Sequence, residues 1–310
     1  MSDYIQQNAY PINYTSSAWT ILSPIEQSIK DKIEKYGTPL KDWNVTINYG
    51  IKTGCNEAFI IDDLTRSELI AKDPKSAELI RPILRGRDIK RYGYDFAGLY
   101  LIATFPSKHY NIDDYPAIKR WLQSFGKKLE QTGEEYIDSN GIKQKCRKKT
   151  NNKWFETQDS IAYWNDFSQQ KIIYPNMTKF LPFILDKQGF MTNQKCFILV
   201  SNTHEVDLRF LTAYLNSSIA KKWLKDNCPE LQGQTRELSK IFFEKILVPK
   251  CSSEQLDELI NLVETKLQTS INMNDYRNCV KNIDKILYKH FEMSDEEILY
   301  IDNYVKDIMY

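Results

Sequence analysis

Several signatures that would classify this chain quickly are missing. No apolar run in its 310 residues is long enough to cross a bilayer, and Met1-Ser2-Asp3-Tyr4 opens without the basic and apolar regions of a secretory signal. The 6 cysteines (Cys55, Cys146, Cys196, Cys228, Cys251, Cys279) include no CxxC pair, and His109, His204 and His290 stand far apart. That pattern excludes a zinc site of ordinary ligand spacing and leads to the expectation of a reduced, cytoplasmic chain. None of the 11 glycines form a GxG pair or a GxxxxGK[ST] loop, so the glycine-rich turn that holds S-adenosylmethionine and a Walker A loop are both absent. With no adjacent prolines, the Asn/Asp-Pro-Pro-Tyr/Phe loop by which an amino-methyltransferase grips a flipped base is also absent. Asp88-Ile89-Lys90, with Asp73 or Glu78 upstream, and Glu264-Thr265-Lys266 are the fragments nearest to a metal-dependent nuclease. Such triplets arise by chance in any Lys-rich chain, so no catalytic residue, metal or cofactor is assigned.

What is present is an ordinary globular composition, 42% hydrophobic and 27% charged, with 19 tyrosines. The net charge of +1 hides a segregation. Residues 253–310 carry 12 acidic and 6 basic side chains, or −6, leaving +7 on the first 252. A basic body with an acidic tail suits a polyanion docking on one face. The alternative is a protein-interaction scaffold whose acidic helical tail meets the partner.

Hydrophobic periodicity predicts an α+β fold. Ser23-Pro24-Ile25-Glu26 is a capping box with proline at the first helical position, and Ile25, Ile29 and Ile33 form its apolar stripe, ended at Gly37. Residues 1–22 read as an irregular lead-in. Strands are expected at Val45–Tyr49, Ala58–Ile61, Leu99–Phe105, Lys171–Tyr174, Leu181–Leu185 and Lys195–Val200. Short helices are expected at Asp207–Leu215 and Ile219–Leu224, and an apolar stretch at Ile241–Val248. After a boundary near Lys250–Ser253 the pattern turns helical: Ser252-Ser253-Glu254-Gln255 and Ser294-Asp295-Glu296-Glu297 are capping boxes, and stripes run at Leu256, Leu259, Ile260, Val263 and Leu267, then Val280, Ile283 and Leu287, then Ile298, Ile301, Val305 and Ile308. The expected division is a sheet-rich recognition domain, 1–252, and a helical tail, 253–310. Irregular mixing of strands and helices favours this over a doubly wound sheet.

Chemistry suited to a polyanion collects in four places. A glycine-rich turn carries Lys52 and Thr53 between Gly50 and Gly54. Ile80-Arg81-Pro82-Ile83-Leu84 delivers Arg85, Arg87, Lys90 and Arg91 around Gly86. A basic loop holds Lys143, Lys145, Arg147, Lys148, Lys149 and Lys153 next to Trp154. Gln232, Gln234, Thr235 and Arg236, with Lys179 after the Pro175 turn, complete the set. Cations on tight turns match phosphate oxygens and guanine edges, while amides match adenine. Each group also has a plain reading as a solvated loop.

The order of segments carries further information. Tyr49-Gly50-Ile51-Lys52-Thr53-Gly54-Cys55-Asn56-Glu57-Ala58-Phe59 is followed by Ile83-Leu84-Arg85-Gly86-Arg87-Asp88-Ile89, a Leu99–Ile102 strand and a Tyr-Pro-x-Ile-Lys-x-Trp-Leu helix at Tyr115–Leu122. Trp154-Phe155-Glu156, Lys171-Ile-Ile-Tyr-Pro175, Gly189–Asn193, Leu211–Ser217 and Phe242–Pro249 come next. In this order they resemble the TaqI-like C-terminal specificity domain of type IIG restriction–modification methyltransferases. The resemblance implies a DNA target-recognition domain that does no chemistry itself, with double-stranded DNA as partner and a bacterial or archaeal cytoplasmic setting. It also implies a methyltransferase domain N-terminal to the segment resembling Trp19–Pro24, in the same polypeptide. S-adenosylmethionine would belong to that domain, as would Mg where the enzyme cleaves. One departure stands out: the usual small turn before the closing strand reads Leu231-Gln232-Gly233-Gln234-Thr235-Arg236, whose long side chains suit a target of this chain's own.

Overall fold

The computed structural model describes residues 22–203, 206–266 and 273–308. Trp19–Ile21, His204 and Leu267 lie outside them. The fold is α+β. Its centre is an antiparallel four-stranded sheet in the order Ile184–Asp186, Lys171–Pro175, Cys196–Ser201, Val45–Tyr49. Both faces are covered, which is why Lys171–Pro175 and Cys196–Ser201 read as nearly unbroken apolar runs rather than alternating ones. Strand geometry sends alternate side chains to opposite faces. Ile172, Tyr174, Phe197 and Leu199 enter one core, and Ile173, Ile184, Cys196 and Ile198 enter another.

The first core is helical. Pro24–Tyr36 forms with its capping box intact, and Ile29 and Ile33 are buried. Leu208–Leu215 and Ser218–Asn227 contribute to the same core, and the tail helices close it through Leu259, Ile283, Leu287, Ile301 and Val305. The capping boxes at Ser252 with Gln255 and at Ser294 with Glu297 both form. Most of the described residues of the tail's apolar stripes thus pack into the same core as the sheet.

The second core lies between the central sheet and a mixed sheet, ordered Met191–Thr192, Ile80–Leu84, Leu99–Ile102, Ile60–Asp62. Here the expected strand Ala58–Ile61 is corrected. Asn56–Phe59 is a short helix, and only Ile60–Asp62 is strand. Trp121 on the helix Pro116–Gln123 donates its indole N–H to the Ala58 carbonyl, and Ala58 and Phe59 are both buried against this layer. Two contiguous buried residues suit a helical turn on a core as well as they suit a strand. The helix Asp63–Lys72 and the hairpin Glu135–Ile137 with Lys143–Lys145 were not foreseen.

Candidate nucleic-acid interface

One end of the central sheet gathers several of the segments singled out by sequence. Gly50 N donates to Cys196 O at 2.8 Å and Ile51 N to Thr192 O at 2.7 Å, so the strand bearing Tyr49 feeds straight into the Lys52 turn. A side chain at Gly50 would stand 2.0 Å from the Asn193 carbonyl oxygen, so only glycine permits this crossing. The Arg85–Asp88 turn lies against the same end: a Cβ at Gly86 would stand 3.3 Å from Pro175 and 3.6 Å from Lys195 O. Asn176 N donates to Lys195 O at 2.8 Å, and Leu238 N donates to Asn176 O at 2.6 Å. These bonds carry the chain into a three-stranded ribbon of Met177–Thr178, Thr235–Glu237 and Glu230–Leu231. The turn Gln232–Gln234 closes that ribbon, with Gln232 and Gln234 exposed, Thr235 half-buried and Lys179 half-buried after Met177–Thr178.

The cations divide sharply by role. Arg85 donates through Nε and an amino nitrogen to both oxygens of Asp88, at 2.9 and 2.8 Å. Asp88 also accepts from Arg85 N at 2.8 Å. Burial pushes the Asp88 carboxyl up, but these Arg85 bonds outweigh it and hold the group below the usual range. The pair locks the turn and leaves Arg87 and Lys90 exposed at its outside. Arg87 makes no side-chain hydrogen bond or ion pair among the described residues, while Lys90 reaches Arg87 O at 3.3 Å and Asp95 at 3.5 Å. Arg91 turns inward and donates to Asn216 O at 2.6 Å.

Arg147 is a correction to the expected set. It is 4% exposed, and its guanidinium donates to Leu129 O twice (3.0 and 2.8 Å), Thr53 O (2.9 Å), Glu156 O (2.6 Å) and Trp154 O (2.6 Å). Burial pushes it down to about 10, which leaves it charged at neutral pH amid carbonyl dipoles. Every N–H is spent inside, so the side chain has none left for a phosphate. Thr53 is corrected for the same reason, being 1% exposed and donating to Asn56 Oδ1 at 2.8 Å. Gly54, at φ +77, has Arg147 Cδ only 2.8 Å from where a Cβ would sit, which fixes this junction as glycine. Arg236 is the third correction: it is 9% exposed and paired with Glu230, its opposite number in the register.

The remaining cations do face outward. Lys143, Lys145, Lys148, Lys149 and Lys153 are exposed, and Lys52 and Trp154 half-buried. Lys143 meets Glu135 at 2.6 Å, and Lys153 stands 5.6 Å from the Phe155 ring centroid. Gln158 ties the basic loop to the Lys52 turn, its N donating to Lys52 O at 3.0 Å and its side-chain Nε2 to Lys148 O at 3.2 Å. Sequence reasoning passed over Lys195, exposed in the tight turn where the 85–88 turn and the ribbon meet. Its signal was an Asn193-Gln194-Lys195 turn between two strands. Met177, Phe180 and Tyr49, each at least half exposed, add apolar surface that sequence reasoning also missed.

A family model, the TaqI-like C-terminal specificity domain, matches residues 81–248, just over half of the chain. The chain belongs to this family. The specificity domain is 23% identical over 248 residues to the type II methyltransferase M.MjaIV of Methanocaldococcus jannaschii, covering 78% of this chain and 77% of that one. Among solved structures it shares its fold with the type IIL restriction-modification enzyme MmeI in complex with DNA, at TM-score 0.55 and 10% identity over 87% of this chain and 36% of that one. The type IIG restriction endonuclease BpuSI aligns at TM-score 0.49 and 12% identity, over 86% of this chain and 33% of that one. The chain spans about a third of either enzyme.

Proposed function

We propose that this chain reads a short duplex DNA sequence for an adenine-specific methyltransferase or type IIG restriction enzyme, and carries out no chemistry itself. The observation that carries the reading is the convergence at one end of the central sheet. The turn bearing Arg87 and Lys90, the turn bearing Lys195, the Lys52 loop and the glutamine-tipped ribbon are joined there by backbone hydrogen bonds and close packing. Lysines hold phosphates without sequence preference, while Arg87, Gln232 and Gln234 offer the forked and amide groups that distinguish guanine and adenine in the major groove. Membership of a specificity-domain family supports the same reading. Residues before 253 do the reading, and the helical tail fills the core behind the sheet. A methyltransferase domain of the same polypeptide supplies S-adenosylmethionine and receives the target adenine.

The test is binding to duplex DNA as a function of salt, followed by selection from a random duplex pool. A log–log salt slope of several units and an enriched short motif are expected. No duplex binding at low salt overturns the proposal. Binding without any enriched motif leaves a DNA-holding protein rather than a reader.

A further inference from the structure

The basic loop is not a featureless run of lysines. Glu135–Ile137 and Lys143–Lys145 form an antiparallel hairpin in which Ile137 faces Lys143 and Glu135 faces Lys145. The ladder continues toward the body through Cys146 N to Glu134 O at 2.8 Å and Gly133 N to Arg147 O at 2.9 Å. Its foot is the buried Arg147 already described, so the hairpin projects from an anchored base. At the far end Asp138 ties the turn: one carboxylate oxygen accepts from Asn140 N and Ile142 N, both at 2.9 Å, and the other from Gln144 Nε2 at 3.2 Å. Two isoleucines are left in solvent at this tip, Ile137 at 74% and Ile142 at 55% exposure. Asp138 pairs with Ile142 next to the Ile137–Lys143 pair, so the two isoleucines project from opposite faces. Packing one face on the body would bury at most one of them.

We propose that this hairpin enters the DNA major groove tip first, and that Ile137 and Ile142 contact thymine C5-methyl groups there. The inference rests on the DNA-reading function proposed above and adds a position and a base preference to it. A two-stranded ribbon fits the major groove, about 12 Å wide, and not the minor groove, about 6 Å wide. The apex residues Ser139 and Asn140 are polar, which suits lying along base edges better than wedging between stacked bases. Lys143 and Lys145 follow on the returning strand, where phosphates line the groove walls. The Glu135–Lys143 pair is exposed on both sides, and exposed pairs of this kind exchange partners at little cost.

The test uses the whole chain and duplexes selected from a random pool, prepared once with thymine and once with uracil, which lacks only the C5-methyl. The double variant Ile137→Ala with Ile142→Ala folds normally because both side chains are exposed, and circular dichroism checks this. Either the uracil replacement or the double variant is expected to weaken binding by roughly three- to tenfold. Combining them adds nothing further, since both delete the same contact, and the salt slope stays that of wild type. Unchanged affinity on either replacement, or losses that multiply independently, overturns the inference while leaving salt-dependent DNA reading in place. Failure of the wild-type chain to bind any duplex overturns the reading itself and this inference with it.

Discussion

The Arg85–Arg91 turn and the Lys143–Lys153 loop look alike in sequence, each a cluster of cations, yet the structure uses arginine and lysine differently in both. In the first, Arg85 is spent on Asp88 and Arg91 on Asn216 O. In the second, Arg147 is spent on carbonyls, while Lys148 and Lys149 beside it stay in solvent. Arg236 follows the same rule only in part: it pairs with Glu230, and its buried Nε has no partner among the described residues. A planar guanidinium with five donors can satisfy several acceptors at once and so builds scaffold, while the strongly hydrated ammoniums of these two loops stay outside. Arg87 is the exception, an arginine left exposed on a turn that its neighbour has locked. A cluster of positive charge therefore holds two populations, one that shapes the loops and one available to a partner.

The sharpest way to break this division is Arg147→Lys. The charge is kept, but four carbonyls lose a shared donor, and about 3–5 kcal/mol of stability should be lost in urea denaturation. A loss under 1 kcal/mol would show that water replaces the guanidinium freely. Next in size is Asp88→Asn, expected to cost about 1–3 kcal/mol because Arg85 then lacks its anion. The same pair makes a pH prediction. The Asp88 carboxyl is held below its ordinary value, so its contribution is present above about pH 4 and fades as pH falls through its folded-state pKa. Wild-type stability should drop more steeply than that of Asp88→Asn below about pH 4 in acid titrations, and parallel curves would remove Asp88 from the account.

Much of the fold was legible before the structure. Capping boxes at Ser23, Ser252 and Ser294 and the apolar runs of the central strands are local signals, and they formed where the pattern put them. The first half of the expected strand Ala58–Ile61 proved helical because four apolar residues have no period long enough to separate strand from helix. The fate of each cation was not legible at all. Nothing local separates Arg147 from Lys148; what separates them is that Thr53, Leu129, Trp154 and Glu156 turn carbonyls to one point, a tertiary fact. Lys195 escaped for the opposite reason, being a lone cation whose importance comes only from the turns that meet around it.

Arg87→Lys tests the exception. Stability should stay within about 0.5 kcal/mol of wild type, because no described side-chain contact is lost. If Arg87 forks onto a guanine, discrimination at one base pair should fall by about 1–3 kcal/mol while binding to random duplex stays near wild type. Equal weakening on every sequence would make Arg87 a phosphate clamp and move the search for readers to Gln232 and Gln234.

The smallest effect on the fold should come from Lys148→Ala with Lys149→Ala. Both side chains are exposed and form no ion pair among the described residues, so urea midpoints should not move measurably. Binding should weaken alike on every duplex, and the log–log salt slope should shrink by about 0.9 for each phosphate contact removed, or roughly 1.8 for the pair. Affinity alone is a poor readout, since any disturbance of the loop lowers it. The slope counts released counterions and isolates the charge term. Set beside Arg147→Lys the two experiments are mirror images, one removing stability with charge retained and the other removing charge with stability retained. An unchanged slope would mean that the lysines beside Arg147 only keep the loop in solvent, and that the phosphate contacts lie at the Lys195 and Lys52 turns.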